Sequence, residues 1–174
     1  AIGQSAFTTA TTGDGNVCMG AEALYYKETS ATNTAIGHAS GKAITTGASN
    51  SVVGAYSGDA ITTGASNSCL GINAGGVITT GDGNVCVGNT AGSTLTTGNN
   101  NIMIGLTSKG SANSNSHEIV IGANDSTGKG GSTALIDAAG GAVYAGNNSA
   151  DFATTSDRRI KKNIVDNNIG LEKI

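Results

Sequence analysis

The sequence predicts an all-β chain wound as a parallel β-solenoid, and three columns of residues predict it. Glycines stand at Gly3, Gly20, Gly37, Gly54, Gly71, Gly88, Gly105 and Gly122, each 17 residues after the last. The residue before each glycine is aliphatic or Met: Ile2, Met19, Ile36, Val53, Leu70, Val87, Ile104 and Ile121. Asparagine keeps the same step at Asn16, Asn33, Asn50, Asn67, Asn84 and Asn101. Self-similarity at a fixed period of this size marks repeating coils that stack on one another.

The composition agrees. With 28 Gly, no Pro, no Trp, two Phe and four Tyr in 174 residues, the chain holds few large side chains for a globular core. The fixed period separates it from a disordered Gly/Ser linker.

Within each unit the run from asparagine to glycine reads as a strand. A second short strand is expected around Ile44–Thr46, Ile61–Thr63, Ile78–Thr80 and Leu95–Thr97, where β-branched residues are bounded by Gly and Asn. The corners recur because Gly and Asn take positive φ at low cost. The asparagine column is expected to stack, each amide bonding to the next coil. At a strand spacing of about 4.8 Å the seven full periods predict a rod about 35 Å long.

Each coil offers only two or three sizeable apolar side chains, such as Leu70, Ile72 and Ile78. That is little for a private core against roughly 1 to 2 kcal/mol of backbone entropy per ordered residue. The expectation is therefore a parallel homotrimer that pools its apolar faces.

Cys18, Cys69 and Cys86 share one column with Ala35, Val52, Met103 and Val120, so they read as small buried hydrophobes. Their odd number and lack of C-x-x-C spacing point away from a disulfide framework or a zinc site. The coil from Ala21 to Thr32 departs from the pattern, carrying Leu24-Tyr25-Tyr26-Lys27-Glu28-Thr29 in place of the Thr-Thr-Gly corner, and Thr107 to Ser116 becomes rich in Ser, Asn and Gly. Such departures are where a binding patch is expected.

Three regions follow: a repeat rod at 1–122, a linker and β-hairpin at 123–155, and a distinct segment at 156–174. The linker is read in Asp125 to Ser132, and the hairpin in Ala134–Asp137 and Ala142–Ala145. Asp157 to Ile174 carries five basic and three acidic residues against four and nine in the remainder. The rod is acidic and thinly charged, which gives no footprint for nucleic acid. No apolar run is long enough to insert in a membrane as a helix. Ala1-Ile2-Gly3 is already the middle of a repeat, so more chain is expected on either side.

Weaker signals point to no cofactor or metal. Gly13-Asp14-Gly15-Asn16 and Gly81-Asp82-Gly83-Asn84 are similar to calcium-binding β-roll turns, but occur in two separated coils and read as Asx turns. Gly128-Lys129-Gly130-Gly131-Ser132-Thr133 lacks the P-loop frame. His38 and His117 stand alone in sequence, and no pair of acidic residues suggests glycoside hydrolysis.

Ser156-Asp157-Arg158-Arg159-Ile160-Lys161-Lys162-Asn163-Ile164 resembles the opening S-D-x-R-x-K-x-x-I of the C-terminal intramolecular chaperone domain of phage tail fibres and endosialidase tailspikes. The resemblance implies single-turnover cleavage of the Ser156–Asp157 bond after trimerisation, with Ser156 as nucleophile and Lys161 assisting. That is chemically sound, since a desolvated lysine can take the proton from a serine hydroxyl. Read without it, the same arginines and lysines form a solvated basic turn. Asn33-Thr34-Ala35-Ile36-Gly37 and the recurring Thr-Thr-Gly are similar to the stretches that precede this chaperone in tail-fibre proteins, and more loosely to the heads of trimeric autotransporter adhesins.

The family implies a virion structural protein, the distal shaft of a trimeric tail fibre. It would contact other virion tail proteins and adsorb to a host-cell surface receptor, a polysaccharide or an outer-surface protein. The alternative is a cellular adhesin or extracellular filament subunit on the same rod.

Overall fold

The protein is described here by a computed structural model covering residues 1–8, 12–26, 29 and 31–138, and the backbone of 141–145 and 152–154. It is an all-β, parallel β-solenoid of about seven turns. The strands are β1 (Val17–Met19), β2 (Thr34–Ile36), β3 (Ser51–Val53), β4 (Ser68–Leu70), β5 (Val85–Val87), β6 (Ile102–Leu106), β7 (Ile119–Asn124), β8 (Ala134–Ala138), β9 (Gly141–Ala145) and β10 (Phe152–Thr154). They form one sheet in sequence order.

From β1 to β7 the strands pair in parallel at an offset of 17 residues, with Cys18 beside Ala35, Val52 beside Cys69 and Cys86 beside Met103, and the register shifts by one only at the end of the β6–β7 pair, where Leu106 meets Asn124. The sequence period is thus the circumference of the coil. A further coil follows where a connection was expected, and it is shorter: Ile119 pairs with Ala134 and Val120 with Leu135. The direction then reverses. β8, β9 and β10 pair antiparallel, the first two as the expected hairpin.

Among the described residues a second strand per coil does not form. Thr45, Thr46 and Gly47 donate their N–H groups to one acceptor, Thr62 O, at 3.0, 3.3 and 3.2 Å. A ladder needs a fresh carbonyl at every other residue. Three donors on one oxygen make a bend instead, so β-branched composition misleads at this corner.

Each short strand points its middle residue inward and the two flanking residues outward. The interior is narrow enough to be filled by one chain. Cys69, Ala74 and Ile78 are buried in one coil, and Cys86, Ala91 and Leu95 in the next. Of the three side chains expected to share a pooled core, only Ile78 lies inside; Leu70 and Ile72 are exposed. A slender cross-section answers the shortage of bulky residues. The cysteines are all buried, as read from the sequence. Cys69 beside it and burial hold the Cys86 thiol well above its ordinary range, so it packs as a neutral thiol.

The irregular coil keeps this volume by an exchange. Regular coils place glycine four residues after the repeat glycine and Ile or Leu seven after it; a Cβ on Gly41 would meet Ile44 Cδ1 at 2.9 Å and Leu24 Cδ2 at 3.1 Å. In the coil from Gly20 the fourth position is Leu24, held at φ +50° and fully buried, while the seventh is Lys27. Leu24 supplies the bulk that Ile44 supplies one coil later.

The asparagines form a buried ladder. Asn50 Nδ2 donates to Asn33 Oδ1 at 3.1 Å and to Gly64 O at 2.9 Å, and its backbone N–H donates to Asn33 Oδ1 at 2.9 Å. Asn67, Asn84 and Asn101 repeat the pattern. The column ends at Glu118, also fully buried, whose N–H donates to Asn101 Oδ1 at 2.9 Å. Its carboxylate accepts from Ser111 N at 3.1 Å on one oxygen and from Gly130 N at 2.7 Å on the other. An amide there would set its own donor against one of those N–H groups. Glu118 therefore closes the ladder and ties it to the shorter final coil.

Candidate functional site

The three residues singled out for self-cleavage, Ser156, Asp157 and Lys161, lie outside the described residues. Two surface features of the rod remain as places where chemistry is concentrated.

The first is an apolar column on the outward face of the sheet. The residue before each repeat glycine directly follows the inward residue of its coil and so points away from the core, by two-residue alternation. Ile2, Met19, Leu70, Ile121 and Ile136 are well exposed, and Val53, Val87 and Ile104 are half-buried. Val17 and, just past the glycines, Ile72 and Leu106 widen the stripe. It follows the rod from the first coil to the last. An apolar surface this continuous is unusual on a protein with no partner.

The second feature is an aromatic and charged patch just after the repeat glycines in the coils that begin at Gly20, Gly37 and Gly54. Lys42 Nζ donates to Glu22 Oε2 at 2.7 Å. The same ammonium lies 5.9 Å from the centre of the Tyr25 ring, which meets Tyr26 edge-on with centroids 4.7 Å apart. One coil on, His38 and Tyr56 pack edge-to-face at 5.1 Å. Asp59 flanks Lys42 from the third coil, where Asp59 O accepts from Ala43 N at 3.1 Å.

The electrostatics follow from these contacts. The hydrogen bond from Lys42, then its charge, holds the Glu22 carboxyl below the usual range, and Glu22 in turn raises Lys42. Burial pushes Asp59 up, opposed by hydrogen bonds from its own N–H and that of Ala60. Pairing Glu22 with Lys42 leaves the patch nearly balanced in charge.

Only the Tyr25–Tyr26 half of this patch stands out in sequence, because those residues are adjacent. His38, Lys42, Tyr56 and Asp59 look scattered until positions are reduced by the period, when Tyr25, Lys42 and Asp59 fall in one column and Glu22 and Tyr56 in another, with His38 one place before it. The Asp82 turn is engaged by the rod itself: Asp82 Oδ1 accepts from Ala65 N at 2.7 Å. Among the described residues no three His, Cys, Asp or Glu side chains converge as metal ligands.

Comparison with family models, curated proteins and solved structures finds no match for the chain.

Proposed function

We propose that the protein is a structural fibre subunit: the distal shaft of a homotrimeric phage tail fibre used in host-cell adsorption, with residues 156–174 opening a self-releasing chaperone. The observation that carries the reading is the outward apolar column. A closed one-chain core leaves it unused, and it repeats at every coil. Parallel copies set side by side about a common axis would cover the whole length at once, each coil meeting its equivalents in the other chains. The similarity of the Asn33–Gly37 string and of the Ser156–Ile164 string to tail-fibre proteins supplies the family context.

The test is the assembly state. The chain is expected to sediment as a trimer. Leu70→Lys with Ile121→Lys, both at exposed positions, is expected to raise the trimer dissociation midpoint at least tenfold in concentration while leaving the circular dichroism of the coil unchanged, because unpaired ammonium groups are costly in a dry interface. A folded parent that stays monomeric at high concentration would remove the trimeric reading.

The chaperone half has its own check. Expressed from the full-length gene, the protein is expected to yield a product ending at Ser156, and Ser156→Ala to yield only uncut chain by mass spectrometry. Equal masses from both would take the serine out of the mechanism.

A further inference from the structure

We infer that the patch formed by Tyr25, Tyr26, Tyr56 and the Glu22–Lys42 pair, edged by His38 and Asp59, is a binding site for a neutral polysaccharide. The inference deepens the adsorption reading and rests on it for its setting at a cell surface, although the site lies entirely within one chain.

The fold does not require these side chains. Two residues after the repeat glycine the backbone stands at positive φ in coil after coil: +59° at Glu22, +56° at Tyr56, +55° at Asn73 and +57° at Thr90. Tyr56 N donates to His38 O at 2.8 Å, and Asn73 N and Thr90 N make the equivalent bond at 2.9 Å. Asparagine occupies this conformation readily, whereas a tyrosine there is strained. Five residues after the glycine, where Tyr25, Lys42 and Asp59 stand, the next two coils carry Gly76 and Ser93. An exposed ion pair adds little stability. Placing aromatic and charged groups at corners that Gly, Ser, Asn and Thr fill equally well calls for a role outside the fold.

The chemistry selects the ligand class. Tyr26 and Tyr56 are 49% and 46% exposed, so their rings present surface to solvent rather than to the core. A pyranose has a face of C–H bonds that lies against such a ring, with hydroxyls around its edge that both donate and accept. The patch offers both partners beside the rings: carboxylate acceptors at Glu22 and Asp59, an ammonium donor at Lys42, and the phenol groups. Near charge balance disfavours nucleic acid and polyanionic sugars, which need a basic surface. The apolar column adjoins the patch, since His38 follows its repeat glycine as Ile72 and Leu106 follow theirs, but the patch itself presents rings, carboxylates and an ammonium rather than the apolar groove that a helical peptide needs. The three coils stack at about 4.8 Å per rise, so the patch is about 10 Å across. That suits two or three sugar units of an extended chain.

The experiment probes the 174-residue protein on an array of neutral hexose and N-acetylhexosamine oligosaccharides, with sialylated and sulfated oligosaccharides alongside, and takes the strongest neutral binder to titration calorimetry. Saturable binding to a neutral oligosaccharide is expected. Tyr26→Ala and Tyr56→Ala should each weaken it about tenfold or more, Tyr56→Phe much less, and Thr80→Ala, on an exposed corner away from the patch, not at all. Thermal melts of each variant show whether the fold is kept, and the phenylalanine variant reads out ring stacking if an alanine variant unfolds. Binding to no neutral sugar, binding only to anionic sugars, or binding indifferent to both tyrosines would overturn the site. Sedimentation of the same samples separates the two readings: monomers that bind sugar keep the site and lose the trimer, and trimers that bind none do the reverse.

Discussion

Gly71→Ala is expected to cost about 4 kcal/mol or more, enough to remove much of the stability of an ordinary domain. Gly71 has φ +136°, a region that residues with a Cβ rarely adopt. An added Cβ would lie 2.5 Å from Gly88 O and 2.7 Å from Gly88 C, atoms of the next coil's backbone. No side-chain rotation relieves such a contact. The two coils must separate, and the parallel pairs on either side of Gly71 separate with them. Urea denaturation followed by circular dichroism measures the loss. An alanine variant whose midpoint moves by only a few tenths of molar urea would show that the glycine column is dispensable.

Asn67→Ala is expected to cost about 3 to 5 kcal/mol. Asn67 Nδ2 donates to Asn50 Oδ1 at 3.1 Å and to Gly81 O at 2.9 Å, while Asn67 Oδ1 accepts from Asn84 N at 2.9 Å and Asn84 Nδ2 at 3.1 Å. The residue is fully buried, so alanine leaves Gly81 O and Asn84 N without a partner and without water, at about 1 to 3 kcal/mol for each orphaned group. The adjacent rung supplies an internal control. Asn50→Ala and Asn67→Ala break one bond in common, so the double variant should lose less than the sum of the two singles. Strict additivity would mean that the rungs act independently.

What could be read in the sequence was whatever one residue type settles at one position. A glycine every 17 residues and a buried asparagine at the same step each answer a backbone need that other residues meet poorly, so both columns appear as coil contacts in the structure. What could not be read was direction. Leu70 and Ile78 are both large and apolar, yet one faces solvent and the other the core, and only the two-residue alternation around Cys69 tells them apart.

The Thr-Thr corner misled for a related reason: β-branched residues favour strands, but this one is shaped by a single shared acceptor, Thr62 O in the case of Thr45 and Thr46. Glu118 was missed as the last rung because its carboxylate fits only through Ser111 and Gly130, residues that the period does not align with it. The shortened final coil, Ile119 to Ala134, escaped for want of a repeat glycine to announce it.

The shared 17-residue offset between the paired strands from β1 to β6 makes length a discrete quantity. Duplicating or deleting one whole unit lengthens or shortens the rod by a single step of about 4.8 Å and leaves every other column in place. Gain or loss of one residue inside a coil instead turns the inward side chain outward. Genes for such rods can therefore change length in whole increments, setting the tyrosine-bearing coils nearer to or farther from the hairpin without redesigning either.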